Sequence, residues 1–265
     1  MTLPAHEHRR LVAAVTGRPF GTVTGAEALD ADDRRRLDDL VSRRLAGEPL
    51  QHLEGSVSFG PLDLLVDARV LVPRPETEQV FDQAARSLGE AGPGTLVVDL
   101  CTGSGALALA LKHRFPDARV IGVDVSEDAL AVAKENGTRL DLEVEWLHGD
   151  LFTPLPKRLM GRVDLLVSNP PYVAEDEWAD LPTDVRDHEP RVALVAGPEG
   201  TEVLARIAEE AFWWLGVGGW AVCEIGATQG AAAERLFAAY DREVRTDLAG
   251  RDRILVARKG APCCV

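Results

Sequence analysis

The residues with the clearest chemical use in this chain are Asn169-Pro170-Pro171-Tyr172, which directly follow the apolar run 163–168. An apolar run of that length predicts a buried strand, and the two prolines forbid both its continuation and the start of a helix. The chain must therefore turn sharply at the strand's C-terminal end. Such a turn offers an acceptor oxygen on Asn169, a backbone carbonyl at Pro170 and an aromatic face at Tyr172. It suits a planar NH2 group, whose two hydrogens can be held while its lone pair is aimed elsewhere. A double proline after a strand is by itself more often a plain loop. The weight comes from a second motif upstream.

That motif is Asp99-Leu100-Cys101-Thr102-Gly103-Ser104-Gly105, after the apolar run 95–98 and before the strong helix formers of 106–111. Strand, glycine-bearing turn and helix make the first unit of a nucleotide-binding α/β fold. Gly103 and Gly105 allow strained backbone angles and the close approach of a ligand. Asp124 ends the next strand-like run, 120–123, where a carboxylate can accept hydrogen bonds from both ribose hydroxyls of an adenosine.

Residues 103–108 also fit a dinucleotide fingerprint, with Asp124 near the expected offset, although a lone match of this kind is weak. Three features favour S-adenosylmethionine instead. Asp99 precedes the glycines, where it either fixes the turn or reaches the ligand's charged amino-acid end. Asp150 and Leu151 follow a third strand-like run, 143–147, where an adenine can lie. The turn at Asn169 ends a fourth strand, and hydride transfer has no evident need for it.

The elements that position these residues are legible as patterns. Helical periodicity covers 5–16 and 32–46, with Asp30 as a cap and Gly47 as a stop. Residues 57–66 predict two short strands around Gly60-Pro61. A helix to about residue 88 opens with Pro75 in its first turn, and residues 91–94 break the chain. This divides the protein into a small helical unit over 1–50, a β-hairpin linker over 51–75 and a large domain over 76–265. From residue 95 strands near 95–100, 119–124, 143–147, 163–168, 219–225 and 252–257 alternate with helices near 105–114, 126–139, 200–215 and 228–240. The alternation predicts a Rossmann-like α/β fold whose sheet is mostly parallel, with an antiparallel hairpin at the last edge. Ligands bind beyond the C-terminal ends of such strands. Asp99, Asp124, Asp150 and Asn169 all fall there, on four successive strands.

Composition narrows the classes. A net charge of −14, from 29 basic and 43 acidic residues, disfavours direct binding to nucleic acid and suits a protein partner with a basic face. No apolar stretch is long enough to span a bilayer, and the N-terminus has no apolar signal core. The four cysteines, Cys101, Cys223, Cys263 and Cys264, show no zinc or redox spacing. The expectation is a cytoplasmic protein with no metal site, Cys101 and Cys223 being buried thiols. Trp213-Trp214 is read as helix packing.

The order of Gly47-Glu48-Pro49-Leu50, the segment 70–78 with Arg74-Pro75-Glu76-Thr77-Glu78, the glycine turn and Asn169-Pro170-Pro171-Tyr172 resembles the HemK/PrmC family over nearly the whole chain. Asp187-His188-Glu189-Pro190-Arg191 is similar to its release-factor branch. The resemblance implies the class I S-adenosylmethionine-dependent methyltransferase fold with a seven-stranded sheet. It further implies methylation of the side-chain amide of the glutamine in the Gly-Gly-Gln loop of peptide chain release factors; a monomer is the separate expectation. Two departures stand out. Cys101 occupies the first glycine position of the family's turn, and the N-terminal unit reads as one helix short.

On this reading Asn169, Pro170 and Tyr172 are the catalytic candidates, and Pro171, Arg74 and Glu76 join them in holding substrate. Asp99, Cys101, Thr102, Gly103, Ser104, Gly105, Asp124, Asp150, Leu151 and Asn169 are the candidates for the cofactor. Arg74 with Glu76, and Arg191 with Glu189, are equally explained as structural ion pairs. Three competing functions stay open. They are a paralogue acting on another protein glutamine or a small-molecule amide or amine, a nucleic-acid adenine methyltransferase, and a non-catalytic S-adenosylmethionine-binding or docking module.

Overall fold

Apolar residues at helical spacing in the first fifty positions bury one another before they touch the rest of the chain. Leu11, Val12 and Val15 of α1 (Ala5–Thr16) meet Leu37 of α2 (Ala31–Leu45). Asp30 caps α2 as its type predicts, its carboxylate accepting from the backbone N–H groups of Asp32 and Asp33. Leu50 and Leu53 of α3 (Leu50–Glu54) join the same core, so helical packing runs past residue 50. Arg44 pairs with Glu7 at 2.8 Å and Arg10 with Glu54 at 2.5 Å across these helices. The computed structural model describes residues 2–25 and 28–261, so the tail with Cys263 and Cys264 lies outside the described residues.

The hairpin forms as expected: β1 (Ser56–Phe59) pairs antiparallel with β2 (Leu62–Leu65), Phe59 opposite Leu62 around Gly60-Pro61. Helix α4 (Pro75–Leu88) follows. Then come β3 (Leu96–Leu100), α5 (Ala106–Arg114), β4 (Arg119–Asp124), α6 (Glu127–Leu140), β5 (Glu145–His148) and β6 (Val163–Ser168). Two short parallel strands, β7 (Val173–Ala174) and β8 (Val195–Gly197), flank α7 (Thr183–Arg186). The chain closes with α8 (Glu202–Trp214), β9 (Leu215–Glu224), α9 (Gly230–Leu236), β10 (Asp241–Thr246) and β11 (Asp252–Arg258).

Seven strands make one sheet in the order β10-β11-β9-β6-β3-β4-β5. Pairings from β5 through β9 are parallel, whereas β11 runs antiparallel to both β9 and β10. Alternation along β3 sends Leu96, Val98 and Leu100 to the layer under α8 and α9, and Val97 to the layer under α4 and α5. Both faces are covered, which is why the strands read as continuous apolar runs.

The sequence reading did not anticipate α3, α7, β7 or β8, and β10 and α9 also depart from it. Strand β10 carries only Val244 as an apolar residue among charged neighbours, so no periodicity marked it, and the helix expected over 228–240 stops at Leu236. Charged edge strands blunt edge-to-edge association, and that composition hides them from pattern reading. Trp213 and Trp214 also part company. Trp214 is buried and stacks on Phe152, while Trp213 is 63% exposed. Successive helical residues point about 100° apart, and on α8 the buried stripe of Leu204, Ile207, Ala211 and Trp214 leaves Trp213 off the core side.

Candidate active site

The strand order reverses at β3, with β4 and β5 on one side and β6 and β9 on the other. Ligand crevices in open α/β sheets lie at such a switch point, beyond the strands' C-terminal ends. A cavity of about 210 Å³ sits there, bordered by Asp99, Asp124, Asp150 and Asn169. The four polar residues singled out along the chain therefore converge on one space. Cys101, Thr102, Gly103, Ser104, Leu151 and Pro171 border it as well. Gly105, Pro170, Tyr172, Arg74 and Glu76 do not.

Backbone hydrogen bonds shape the glycine turn. The N–H of Gly103 donates to Asp124 Oδ2 at 2.8 Å, and that of Gly105 to the carbonyl of Thr102 at 2.8 Å. Asp124 Oδ1 accepts from the N–H of Ser126 at 2.9 Å. Each Asp124 oxygen so holds one donor and keeps lone-pair capacity for a hydroxyl. Burial pushes its carboxyl above the usual range. The two glycines do different jobs. A Cβ at Gly103 would meet no atom within 4 Å, leaving room for a ligand, whereas one at Gly105 would lie 2.8 Å from the Trp146 ring. Gly105, at φ +84°, packs closely against Trp146 and does not itself border the cavity.

Cys101 takes φ +58°, the left-handed conformation that favours glycine. The thiol at a family glycine position is thus accommodated with the backbone a glycine would adopt, at a cost of roughly 1–2 kcal/mol. Leu151 also has positive φ, at +47°. Two of the three non-glycine residues with positive φ among the described residues border this cavity, as strained residues at binding sites do.

Asp99 is 1% exposed. Its Oδ2 accepts from the Thr102 hydroxyl at 2.5 Å and the Ala108 N–H at 3.1 Å, while buried Oδ1 has no hydrogen-bond partner among the described residues. Burial pushes its carboxyl up to about 7. An unpartnered buried carboxylate oxygen on the cavity wall fits a cationic group such as an α-ammonium. Asp150 is engaged by Arg206 at 2.7 Å, a pair that forms the cavity's outer rim. These carboxylate acceptors therefore fit the ammonium and ribose hydroxyls of S-adenosylmethionine.

Asn169 closes β6, where it is half-buried. Its Nδ2 donates to Thr77 Oγ1 at 3.2 Å, and the Thr77 hydroxyl donates to Glu224 Oε2 at 2.6 Å. Among the described residues no donor reaches Asn169 Oδ1, which is not sealed from solvent. No hydrogen bond among the described residues engages the Pro170 carbonyl. Tyr172 faces away from the cavity wall. Its hydroxyl lies 3.5 Å from Glu224 Oε1, and its carbonyl accepts from Gln229 Nε2 at 2.9 Å. Burial and the neighbouring Glu224 push that phenol up to about 12.

Arg74 binds Glu189 at 2.5 Å instead of Glu76, and Glu189 Oε1 also accepts the Val72 N–H at 3.1 Å. Arg191 stacks over Trp178 at 5.4 Å. The ion pairs read along the chain as local, Arg74 with Glu76 and Arg191 with Glu189, are replaced by one long-range pair that ties the entrance of α4 to the loop after α7. Arg74 borders a second, polar cavity of about 280 Å³ shared with Glu7, Arg10 and Arg44 of the helical unit. Pattern reading missed Thr77 and Glu224 as site residues. The only local sign was a carboxylate ending the apolar strand Val222-Cys223-Glu224. It also missed Val70 and Pro73, linker residues that wall the main cavity.

The description "PrmC N-terminal domain" matches residues 2–55, and "Methyltransferase small domain" matches residues 78–183. The chain is 42% identical over 242 residues to the release factor glutamine methyltransferase of Streptomyces coelicolor, the match covering 88% of this chain and 84% of that one. It is 39% identical over 260 residues to the release factor glutamine methyltransferase of Deinococcus radiodurans, covering 97% and 91%. Among solved structures, a methyltransferase from Pyrococcus furiosus aligns with a TM-score of 0.56 at 18% identity, covering 83% of this chain and 98% of that one, a likeness of fold.

Proposed function

The chain belongs to the release factor glutamine methyltransferase family, and from that premise we propose that it methylates the side-chain amide nitrogen of the glutamine in the Gly-Gly-Gln loop of peptide chain release factors. When bound, S-adenosylmethionine supplies an electrophilic methyl group on its sulfonium. Asp124 holds the ribose hydroxyls, Asp99 Oδ1 faces the ammonium, and the open face of Gly103 takes the methionine end. Leu151 borders the adenine, with the Asp150–Arg206 pair at its edge.

An amide nitrogen is a poor nucleophile because its lone pair is delocalised into the carbonyl, so positioning is the main lever. Correct placement of reactants contributes roughly 7–11 kcal/mol in well-oriented systems. Asn169 Oδ1 and the Pro170 carbonyl accept the two amide hydrogens of the substrate. They aim the nitrogen lone pair at the methyl group and stabilise the positive charge that grows on the NH2 group. Tyr172, tied to Glu224 and Gln229, holds the shape of the turn from behind. Arg74 and Glu76, at the start of α4 and outside the cavity lining, are the outlying substrate contacts of this reading. The protein works as a monomer in the cytoplasm, where its substrate acts.

The observation that carries this reading is the free acceptor Oδ1 of Asn169 beside the carboxylate-lined cavity. Incubation with methyl-labelled S-adenosylmethionine and unmodified release factors, followed by mapping of the labelled residue, tests it. Label on the glutamine of the Gly-Gly-Gln loop is the expected result. Label on nucleic acid, on another protein or nowhere would refute it.

A further inference from the structure

A carboxamide can be turned over without changing its shape, and the two orientations of Asn169 are chemically opposite. One presents an acceptor to the substrate NH2 group and the other presents a second NH2, donor against donor. We propose that Thr77 and Glu224 form a polarity-setting relay that locks Asn169 with its oxygen toward the substrate. The inference rests on the methyl-transfer reading above and assigns positioning roles within that same site.

The number of protons on each group fixes the direction of each bond. Glu224 ends β9 and is 1% exposed, and as a carboxylate it can only accept. The 2.6 Å contact with Thr77 falls in the range of a hydroxyl donating to a carboxylate. The single hydroxyl proton of Thr77 is thereby spent on Glu224. Toward Asn169, Thr77 Oγ1 can then only accept, and the atom 3.2 Å away must be Nδ2. Oδ1 is left facing the cavity by elimination. Without a fixed acceptor behind it, Thr77 could donate forward instead and stabilise the wrong orientation equally well.

Two further observations support the assignment. Glu224 is a buried carboxylate with no contact to the cavity, and an apolar residue in such a place usually costs nothing or stabilises. The second oxygen, Oε1, lies 3.5 Å from the Tyr172 hydroxyl, so one carboxylate reaches both ends of the Asn-Pro-Pro-Tyr turn. Glu224 also feels Glu76 of α4 and Arg253 of β11, the latter attracting its charged form. Burial dominates and pushes its carboxyl up to about 7. Once protonated, Glu224 carries a donor of its own, can bond the lone pair of Thr77, and the direction of the relay is lost.

Turnover and affinity of the full-length protein, at saturating S-adenosylmethionine and with an unmodified release factor, test the relay. Thr77→Val removes the hydroxyl at constant shape and should lower kcat on the order of tenfold. Cofactor affinity should stay within about twofold, since among the described residues no hydrogen bond joins Thr77 to Asp99, Asp124 or the glycine turn. Thr77→Ser restores the hydroxyl and should recover most of the turnover. A folded Thr77→Val with wild-type kcat, or Ser and Val variants equally impaired, would overturn the inference while leaving the methyltransferase reading intact. A wild-type protein that methylates no release factor would remove both. If Thr77→Val does not fold, the pH profile decides. Wild-type kcat should rise between about pH 6 and 8 and that of Glu224→Gln should be flat. Asp99, which also titrates there, acts on cofactor binding and drops out at saturation. Parallel profiles for the two proteins would overturn the relay.

Discussion

The glycine turn after β3 and the proline turn after β6 stand on adjacent strands, yet they are held by different means. The first is braced by carboxylates close in sequence, Asp124 taking the Gly103 N–H across 21 positions and Asp99 the Thr102 hydroxyl across three. The second is braced by side chains from remote elements, Asn169 to Thr77 across 92 positions and Thr77 to Glu224 across 147. A turn that binds a ligand through its backbone needs glycines and a nearby cap. A turn that must present one particular atom of a reversible amide needs a partner of defined polarity, and only the tertiary fold can bring one.

If this contrast is right, damage to the proline turn should fall on turnover and damage to the glycine turn on binding. The largest effect is expected for Asn169→Ala, on the order of 10²- to 10³-fold in kcat, by analogy with loss of one preorganised polar group. Calorimetric affinity for S-adenosylmethionine should be little changed, and equal losses in both would dissolve the contrast. Asp124→Ala should do the reverse, weakening cofactor binding about 10- to 100-fold through loss of hydrogen bonds to a charged group. Its kcat at saturating cofactor should fall far less.

The two glycines sharpen the comparison within one turn. Gly105→Ala places a Cβ against Trp146 at φ +84° and should destabilise by several kcal/mol, roughly the sum of strain and overpacking, read from denaturant unfolding. Gly103→Ala meets open space and should cost only about 1 kcal/mol in stability while weakening the cofactor.

The smallest effect concerns pH. Glu224 has its carboxyl raised from 4.5 to about 7 by burial, so between those values the folded chain keeps a proton that the unfolded chain releases. That contribution to stability is present below about pH 4.5 and is lost as pH rises to about 7. Glu224→Gln cannot titrate, so melting curves should show the variant gaining on wild type across that window. Buried His52, pushed down by desolvation, has the opposite pH dependence in both proteins and cancels in the difference. A constant gap would mean that Glu224 is ionised throughout.

Much of this site was legible in the chain. Asp99, Asp124, Asp150 and Asn169 each follow an apolar run, and a parallel sheet brings the ends of such runs together, so their convergence needed no coordinates. Local reading did not reveal the contact of Gly105 with Trp146 beyond β4, nor the pairing of Arg74 with Glu189, 115 positions away. Strand β10 escaped because an edge strand facing water has no buried face to stamp a period on its residues.

Periodicity and punctuation alone determined the alternating α/β order, the helical unit ahead of it, and the strand ends at which polar residues gather. These are local matters, governed by which side chains must leave water and where the backbone can turn. Which glycine makes room for a ligand, which arginine meets which glutamate, and which way the Asn169 amide faces were decided by the tertiary structure. Each depends on a partner many residues distant, and hydrogen-bond polarity has no signature until donor and acceptor are brought within reach.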